Sequence, residues 1–254
     1  MPTPTTMSSA TVIELRQYTL RPGGRDVLVE LFERELIEPQ EASGMRVGGL
    51  FLDRDDADRF VWFRGFADMA ARQLSLESFY FGPVWNEFRD AANSTMLDSD
   101  DVLLLRPADP ARPAPEPAEG RASVGSTNLT DEWVIVSVYV HAPDPSFTRW
   151  LNEDFHGAVQ QELDVPVATF RSEPAKNNFP ALPVRTDNAF VWMAAFSDGS
   201  QYEDARRRLE GSKTWQDDLA PRLRAKLTNR ECLRLQPTAR SQHPRSGPAA
   251  GAKP

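Results

Sequence analysis

Phe60-Val61-Trp62-Phe63-Arg64-Gly65-Phe66-Ala67-Asp68 and Phe190-Val191-Trp192-Met193-Ala194-Ala195-Phe196-Ser197-Asp198 are one phrase written twice. The offset is 190 − 60 = 130, and it carries Trp85 onto Trp215, Leu97 onto Leu227, Leu103 onto Leu233, Leu105 onto Leu235 and Pro107 onto Pro237. Self-similarity at a fixed spacing is the signature of repeated structural units. The chain therefore reads as an internal duplication. Upstream the offset shrinks to 139 − 18 = 121, matching Tyr18 with Tyr139 and Pro22 with Pro143. The second copy thus carries 130 − 121 = 9 extra residues, assigned to a loop within 174–188 because Pro174, Pro180 and Pro183 disfavour a regular element there.

Working outward, residues 12–20 read as a strand ended by Arg21-Pro22-Gly23-Gly24. Residues 26–42 place Val27, Leu28, Leu31, Phe32 and Leu36 at the spacing of one helix face, with Gly44 as the C-cap. Residues 45–53 and 59–66 read as a hairpin, and Asp68 is placed to cap the next helix. Gly82-Pro83 interrupts that helix before a second stretch to Met96, and 102–105 closes the module as a strand. The order is β-α-β-β-α-β, the ferredoxin-like arrangement. The second copy repeats it, with a strand at 133–141, a helix at 146–163, a hairpin of 167–172 and 189–196, Asp198 as the matching cap, and Pro221 as a kink.

The expected organisation is a disordered N-terminus (1–10), a first module (11–107), a proline-rich linker (108–130), a divergent second module (131–237) and a disordered tail (238–254). A ferredoxin-like sheet covers one face with its own helices and needs a partner for the other. Two copies in one chain can supply that partner to each other.

Charge excludes some functions. A formal net charge of −8, with no lysine cluster, argues against a nucleic-acid surface. No apolar run is long enough for a membrane span, and residues 1–10 lack the basic and apolar regions of a secretory signal, so the expected location is cytoplasmic. The one cysteine, Cys232, precludes an intrachain disulfide and reads as a small apolar strand residue.

Glu14-Leu15-Arg16-Gln17-Tyr18-Thr19-Leu20-Arg21-Pro22-Gly23, the Phe60–Phe66 phrase, and Phe79-Tyr80 with Gly82-Pro83-Val84-Trp85 resemble the signatures of the NIPSNAP family. The resemblance covers nearly all of the first module. The second keeps Phe190-Val191-Trp192 and Trp215 but loses the Glu-Leu-Arg strand. What it implies is an α+β fold: tandem ferredoxin-like modules pairing into a dimeric α/β barrel. That superfamily includes cofactor-free oxygenases, isomerases, cyclases and haem-degrading enzymes, so the fold does not dictate a reaction.

Strand alternation places Glu14, Arg16 and Tyr18 on one face of the first strand and Trp62 with Arg64 on one face of the third. If those faces meet inside the barrel, they form a pocket for a carboxylate- or enolate-bearing molecule, with Arg16 or Arg64 as fork donors. The competing reading is a structural Glu14–Arg16 or Glu14–Arg64 ion pair. In the second module the aligned residues are Ile135, Ser137 and Ala194, and the polar set is absent.

There Trp150-Leu-Asn-Glu153-Asp154-Phe155-His156 resembles EthD-like barrel enzymes, in which a histidine edges the pocket. His156, on one helix face with Glu153, is a candidate general base; a solvated surface histidine is the competing reading. Arg16, Arg64 and His156 are thus the candidate catalytic residues, and Glu14, Tyr18, Trp62, Tyr139 and His141 the candidate substrate contacts. His243 is assigned to the tail and set aside.

A metal site is not expected, since Glu153-x-x-His156 occurs once where carboxylate-bridged centres need it twice. No cofactor is expected; haem on His156 is a remote alternative without an attachment motif. The expected partners are a small-molecule ligand, the two modules for each other, and a second chain if the helical outer faces pair. The functional expectation is a pocket for a hydrophobic oxygenated molecule, serving a cofactor-independent oxygenase, isomerase or cyclase; a non-catalytic binding or interaction module is the alternative. Substrate, reaction and oligomeric state stay open at this level.

Overall fold

A computed structural model describes residues 9–112 and 120–243. The elements are β1 (Val12–Leu20), α1 (Gly24–Leu31), α2 (Ile37–Ala42), β2 (Arg46–Asp53), β3 (Arg59–Phe66), α3 (Met69–Tyr80), α4 (Pro83–Thr95) and β4 (Met96–Pro107). They are followed by β5 (Trp133–His141), α5 (Pro145–Trp150), α6 (His156–Leu163), β6 (Val167–Ser172), β7 (Ala189–Phe196), α7 (Gly199–Gly211), α8 (Ala220–Lys226) and β8 (Leu227–Pro237). Single π-helical turns at Phe32–Leu36, Leu151–Phe155 and Trp215–Leu219 join α1 to α2, α5 to α6 and α7 to α8.

Local chemistry sets the boundaries. Gly23 adopts φ 75° before α1, a left-handed conformation that glycine takes without penalty. Asp68 accepts from the Ala71 N–H at 2.7 Å and Asp198 from the Gln201 N–H at 2.9 Å, so both expected caps form. Pro83 opens α4, where its missing N–H costs nothing.

The strands close into one barrel in the order β1-β3-β2-β8-β5-β7-β6-β4, every neighbour antiparallel. Each half contributes four consecutive strands, and two seams join the halves. At one, Phe51, Leu52 and Asp53 pair with Pro237, Gln236 and Leu235; at the other, Leu105, Arg106 and Pro107 pair with Ser172, Arg171 and Phe170. Closure leaves no sheet edge to aggregate.

The barrel interior is apolar, built from Ile13, Leu15, Phe63, Leu103, Val136, Phe170, Val191 and Leu233 among others. Burying such a side chain fully stabilises by roughly 1.5–3 kcal/mol. Glu14, Arg16, Tyr18, Trp62 and Arg64 do not join them. Alternation puts Ile13 and Leu15 inward and sends the polar set outward, beneath the helices of the first half, correcting the expectation of a pocket inside the barrel.

Two flanks are better packed than expected. Thr238 N–H donates to Leu50 O at 2.9 Å and Gln242 N–H to Gly48 O at 3.1 Å, laying 238–243 along β2. Arg121 donates to Val47 O at 2.6 Å and Arg240 O at 2.7 Å, anchoring the end of the linker. The disorder expected of residues 1–8, 113–119 and 244–254 concerns segments outside the described residues. Among the described residues, no helix is long and apolar enough to cross a membrane.

Candidate functional site

β1 and β3 pair so that Glu14 stands opposite Arg64 and Arg16 opposite Trp62. α3 lies over them and lowers Arg72 from its inner face, which it shares with Leu76 and Phe79. The result is one carboxylate holding three guanidiniums: Glu14 accepts from Arg16 Nη1 at 2.8 Å, Arg64 Nε at 2.7 Å and Arg72 Nε at 2.7 Å. Glu14, Arg64 and Arg72 are 0% exposed and Arg16 1%. Both expected ion pairs therefore form together, with a third that the sequence reading missed. The spacing of Arg72, Leu76 and Phe79 was the available signal, since residues four and three apart share a helix face.

Charge dominates this cluster. Burial would raise the Glu14 pKa, but Arg64, Arg16 and Arg72 overcome it and hold the carboxyl well below the usual range. Arginine does not deprotonate in proteins, so one negative charge faces three positive ones. Arg64 Nη2, Arg72 Nη2 and Trp62 Nε1 are buried without a hydrogen-bond partner. Aromatic groups line the rest: Arg16 Nε donates to Tyr18 Oη at 2.9 Å, Arg64 Nη1 to Tyr80 Oη at 3.3 Å, and the Arg64 guanidinium lies 5.2 Å from the Trp62 ring. Burial pushes the Tyr18 phenol up, against the pull of Arg16.

The second half supplies the cover. Residues 173–188, the loop assigned to the insertion, leave β6 and run along β4, with Glu173 N–H donating to Leu104 O at 2.9 Å and Arg185 N–H to Val102 O at 2.8 Å. Asn177 and Asn178 accept from Arg72 Nη1 at 3.0 and 2.7 Å. Phe179 packs 5.9 Å from the Tyr80 ring and 6.1 Å from that of Phe81.

The histidines lie elsewhere. His156 does not approach Arg16 or Arg64; it sits on α6 beside Asp109 and Arg112, where burial and then Arg112 lower its pKa. Phe155 takes the sheet-facing position instead, with rings 5.6 Å from Tyr139 and 6.2 Å from Phe190, and the next residue along a helix turns about 100° away. The expected Glu153–His156 face also fails, because Glu153 is exposed and His156 is buried. Tyr139 is buried in the second half, with the Arg230 guanidinium 5.5 Å from its ring.

His141 Nδ1 lies 2.8 Å from Ala142 O and 3.1 Å from Asn188 Nδ2, and the residue lines a cavity of about 450 Å³. His243, set aside from sequence, is buried with its ring 5.6 Å from Phe51 and Nε2 3.5 Å from Glu132. Cys232 is on a strand as expected but exposed.

Residues 13–111 match the family model described as NIPSNAP. No curated protein matches the chain in sequence. Among solved structures, an anthrone oxidase-like protein superposes with TM-score 0.54 at 10% identity, over 97% of this chain and 99% of its own. A candidate monooxygenase from Lactobacillus acidophilus NCFM gives 0.53 at 11% identity, over 92% and 98%. A dye-decolorizing peroxidase from Bacteroides thetaiotaomicron gives 0.52 at 10% identity, over 91% and 93%. At these identities the likeness is one of fold: a mixed α/β chain with a closed eight-stranded barrel.

Haem, the alternative raised for His156, does not fit the histidines present. His156 is buried, His141 is engaged by Ala142 and Asn188 and packed edge-on against Phe147 at 5.0 Å, and His243 is buried with its Nε2 3.5 Å from Glu132. No group of three or more metal-ligating side chains occurs among the described residues.

Proposed function

We propose that this chain is a duplicated small-molecule barrel, two ferredoxin-like modules at 11–107 and 131–237, whose first-half chamber receives the anionic end of a hydrophobic, oxygenated organic molecule. The observation that carries the reading is the charge imbalance: three buried guanidiniums share one carboxylate, and two of their N–H groups lack acceptors. An unpaired buried charge is costly, so such a cluster is best satisfied by a further anion. A carboxylate or enolate would accept from the free edges of Arg64 and Arg72 while its ring packs among Tyr18, Trp62 and Tyr80.

In this reading Arg16 and Arg64 stabilise negative charge as it develops on the ligand, Glu14 orients them, and Tyr18 and Trp62 shape the pocket. The reaction class is cofactor-independent oxygenation, isomerisation or cyclisation through an enolate. Residues 173–188 must open to admit the ligand and then exclude water. Tyr139 and His141 belong to separate surroundings in the second half, and His156 has no role as base for this chamber.

A second reading, binding without turnover, is favoured by one feature. The chamber holds no group suited to take a proton near neutrality, because Glu14 is held ionised and Tyr18 is pushed up. Native mass spectrometry of the purified protein, followed by denaturation and analysis of what is released, tests both. A co-purifying organic acid, phenol or enolisable ketone supports the chamber and names its class. A clean apoprotein that benzoate and salicylate fail to stabilise against heat would sink it. Size-exclusion chromatography with light scattering separates a monomeric closed barrel from a homodimer paired through its helices.

A further inference from the structure

The seam between β4 and β6 carries a separate arrangement of guanidiniums. Leu105 and Phe170 point into the barrel there, so alternation turns Arg106 and Arg171 outward together, directly opposite each other in register. Like charges so placed destabilise a sheet. Arg149, from the last turn of α5, lines the same cavity of about 450 Å³, along with His141, Asn152 and Asn188. That volume lies within the range of small-molecule sites.

None of the three arginines has a carboxylate within 4.0 Å among the described residues, and Arg106 Nε and Arg171 Nε are buried without a partner. Glu173 favours the charge on Arg171 from beyond 4.0 Å, and none of the nearby acids forms an ion pair with the three arginines among the described residues. Asp144 accepts from the Ser146 and Phe147 N–H groups and from Lys226 at 3.0 Å. Glu173 accepts from the Ala175 N–H at 2.9 Å, and Glu153 stands exposed at the cavity's rim.

We propose that this cavity is a binding site for a dianionic oxyanion head group, a phosphate monoester or a dicarboxylate. An oxyanion seated between Arg106 and Arg171 converts their repulsion into two charge-assisted contacts, and guanidinium forks match carboxylate and phosphate alike. Arg149 closes the third side. The first half contributes Arg106 and the second half Arg149 and Arg171, so the site exists only because the two halves meet in one barrel.

The test is isothermal titration of the full chain with inorganic phosphate and with succinate in low-chloride buffer, for wild type, Arg106→Gln and Arg171→Gln. Binding of at least one probe is expected, weakened tenfold or more by either substitution. Both unliganded variants should be at least as resistant to urea as wild type, because a repulsion has been removed. Phosphate alone binding identifies phosphate esters; succinate alone identifies dicarboxylates. No heat from either probe at millimolar concentration, or weak binding that the substitutions leave unchanged, overturns the proposal. Should either seam variant fail to fold, Arg149→Gln on α5 carries the same comparison with the same outcomes.

Discussion

Glu14→Gln removes one charge from the arginine cluster and almost no volume. In the wild type the carboxylate accepts three charge-assisted hydrogen bonds at 2.7–2.8 Å from side chains that are at most 2% exposed. A glutamine replaces one oxygen with an NH₂ that can only donate, towards guanidiniums that also only donate. Three buried positive charges are left with no countercharge. Breaking a buried ion pair by removing one partner costs about 3–5 kcal/mol. For a chain of this size each kcal/mol lowers Tm by about 2–4 °C, so the expected loss is roughly 6–20 °C. Urea unfolding at neutral pH reads the same loss as a lower midpoint with an unchanged slope. Because the variant needs an anion more than the wild type does, benzoate should recover more stability in Glu14→Gln, approaching about 2.7 kcal/mol at a hundredfold excess over its Kd. A loss below about 1 kcal/mol would refute the reasoning, since the guanidiniums would then be solvated and the charge argument for a ligand would fall with them.

Three further outcomes follow from the same contacts. Glu14 titrates below its unfolded pKa, so its stabilisation is complete above about pH 4.5 and is lost as pH falls towards the depressed folded value; unfolding curves of wild type and Glu14→Gln taken from pH 7 to 3 should converge on the acid side. His156 is also depressed, by burial and then by Arg112, so the unfolded ring takes its proton first as pH drops below about 6.5 and stability declines from there; His156→Gln should flatten that part of the profile, and an unchanged slope would mean the ring is solvated. Asp68→Ala removes the cap on the helix that carries Arg72, and should cost about 1 kcal/mol in denaturant unfolding.

The strand and helix order was legible because alternation, helix periodicity and the Gly, Pro and Asp punctuation all point the same way in both halves. The caps at Asp68 and Asp198, the break at Gly82-Pro83 and the common face of Glu14, Arg16 and Tyr18 are local properties, and local properties can be read from one sequence. Which side of the sheet that face meets is not local. Ile13 and Leu15 are as apolar as the barrel requires, yet a run buried on both sides gives alternation no means to distinguish barrel from helix layer. His156 misled for a different reason. The π-helical turn at Leu151–Phe155 shifts the phase of the helix, so a spacing of three no longer keeps Glu153 and His156 on one face. Arg106 and Arg171 escaped notice because a cross-strand pair between the halves becomes visible only once the seam has a register.

The long loop between β6 and β7 gives a physical reason for the different chemistry of the two halves. The hairpin turn of the first half, residues 54–58, is short and reaches only β8 and the start of β5: Arg54 N–H donates to Arg234 O at 2.8 Å, the Arg54 guanidinium lies 4.5 Å from the Trp133 ring, and Asp55 pairs with the Arg234 guanidinium. Its counterpart, residues 173–188, is long enough to cross β4 and put Phe179 and two asparagines onto the first-half chamber. Beneath such a cover a charge is expensive to leave unpaired, which on the proposed reading suits the cluster to gripping an anion. A chamber without such a cover gains less from buried arginines, and the aligned positions there are Ile135, Ser137 and Ala194. On this argument the loop and the Glu14–Arg16–Arg64–Arg72 cluster are one functional unit. Replacing 174–187 with a short turn should therefore weaken benzoate binding at the first half, although every arginine proposed to hold the anion remains. Titration of the loop-shortened chain reads this directly, and unchanged affinity would show that the cluster works without its cover.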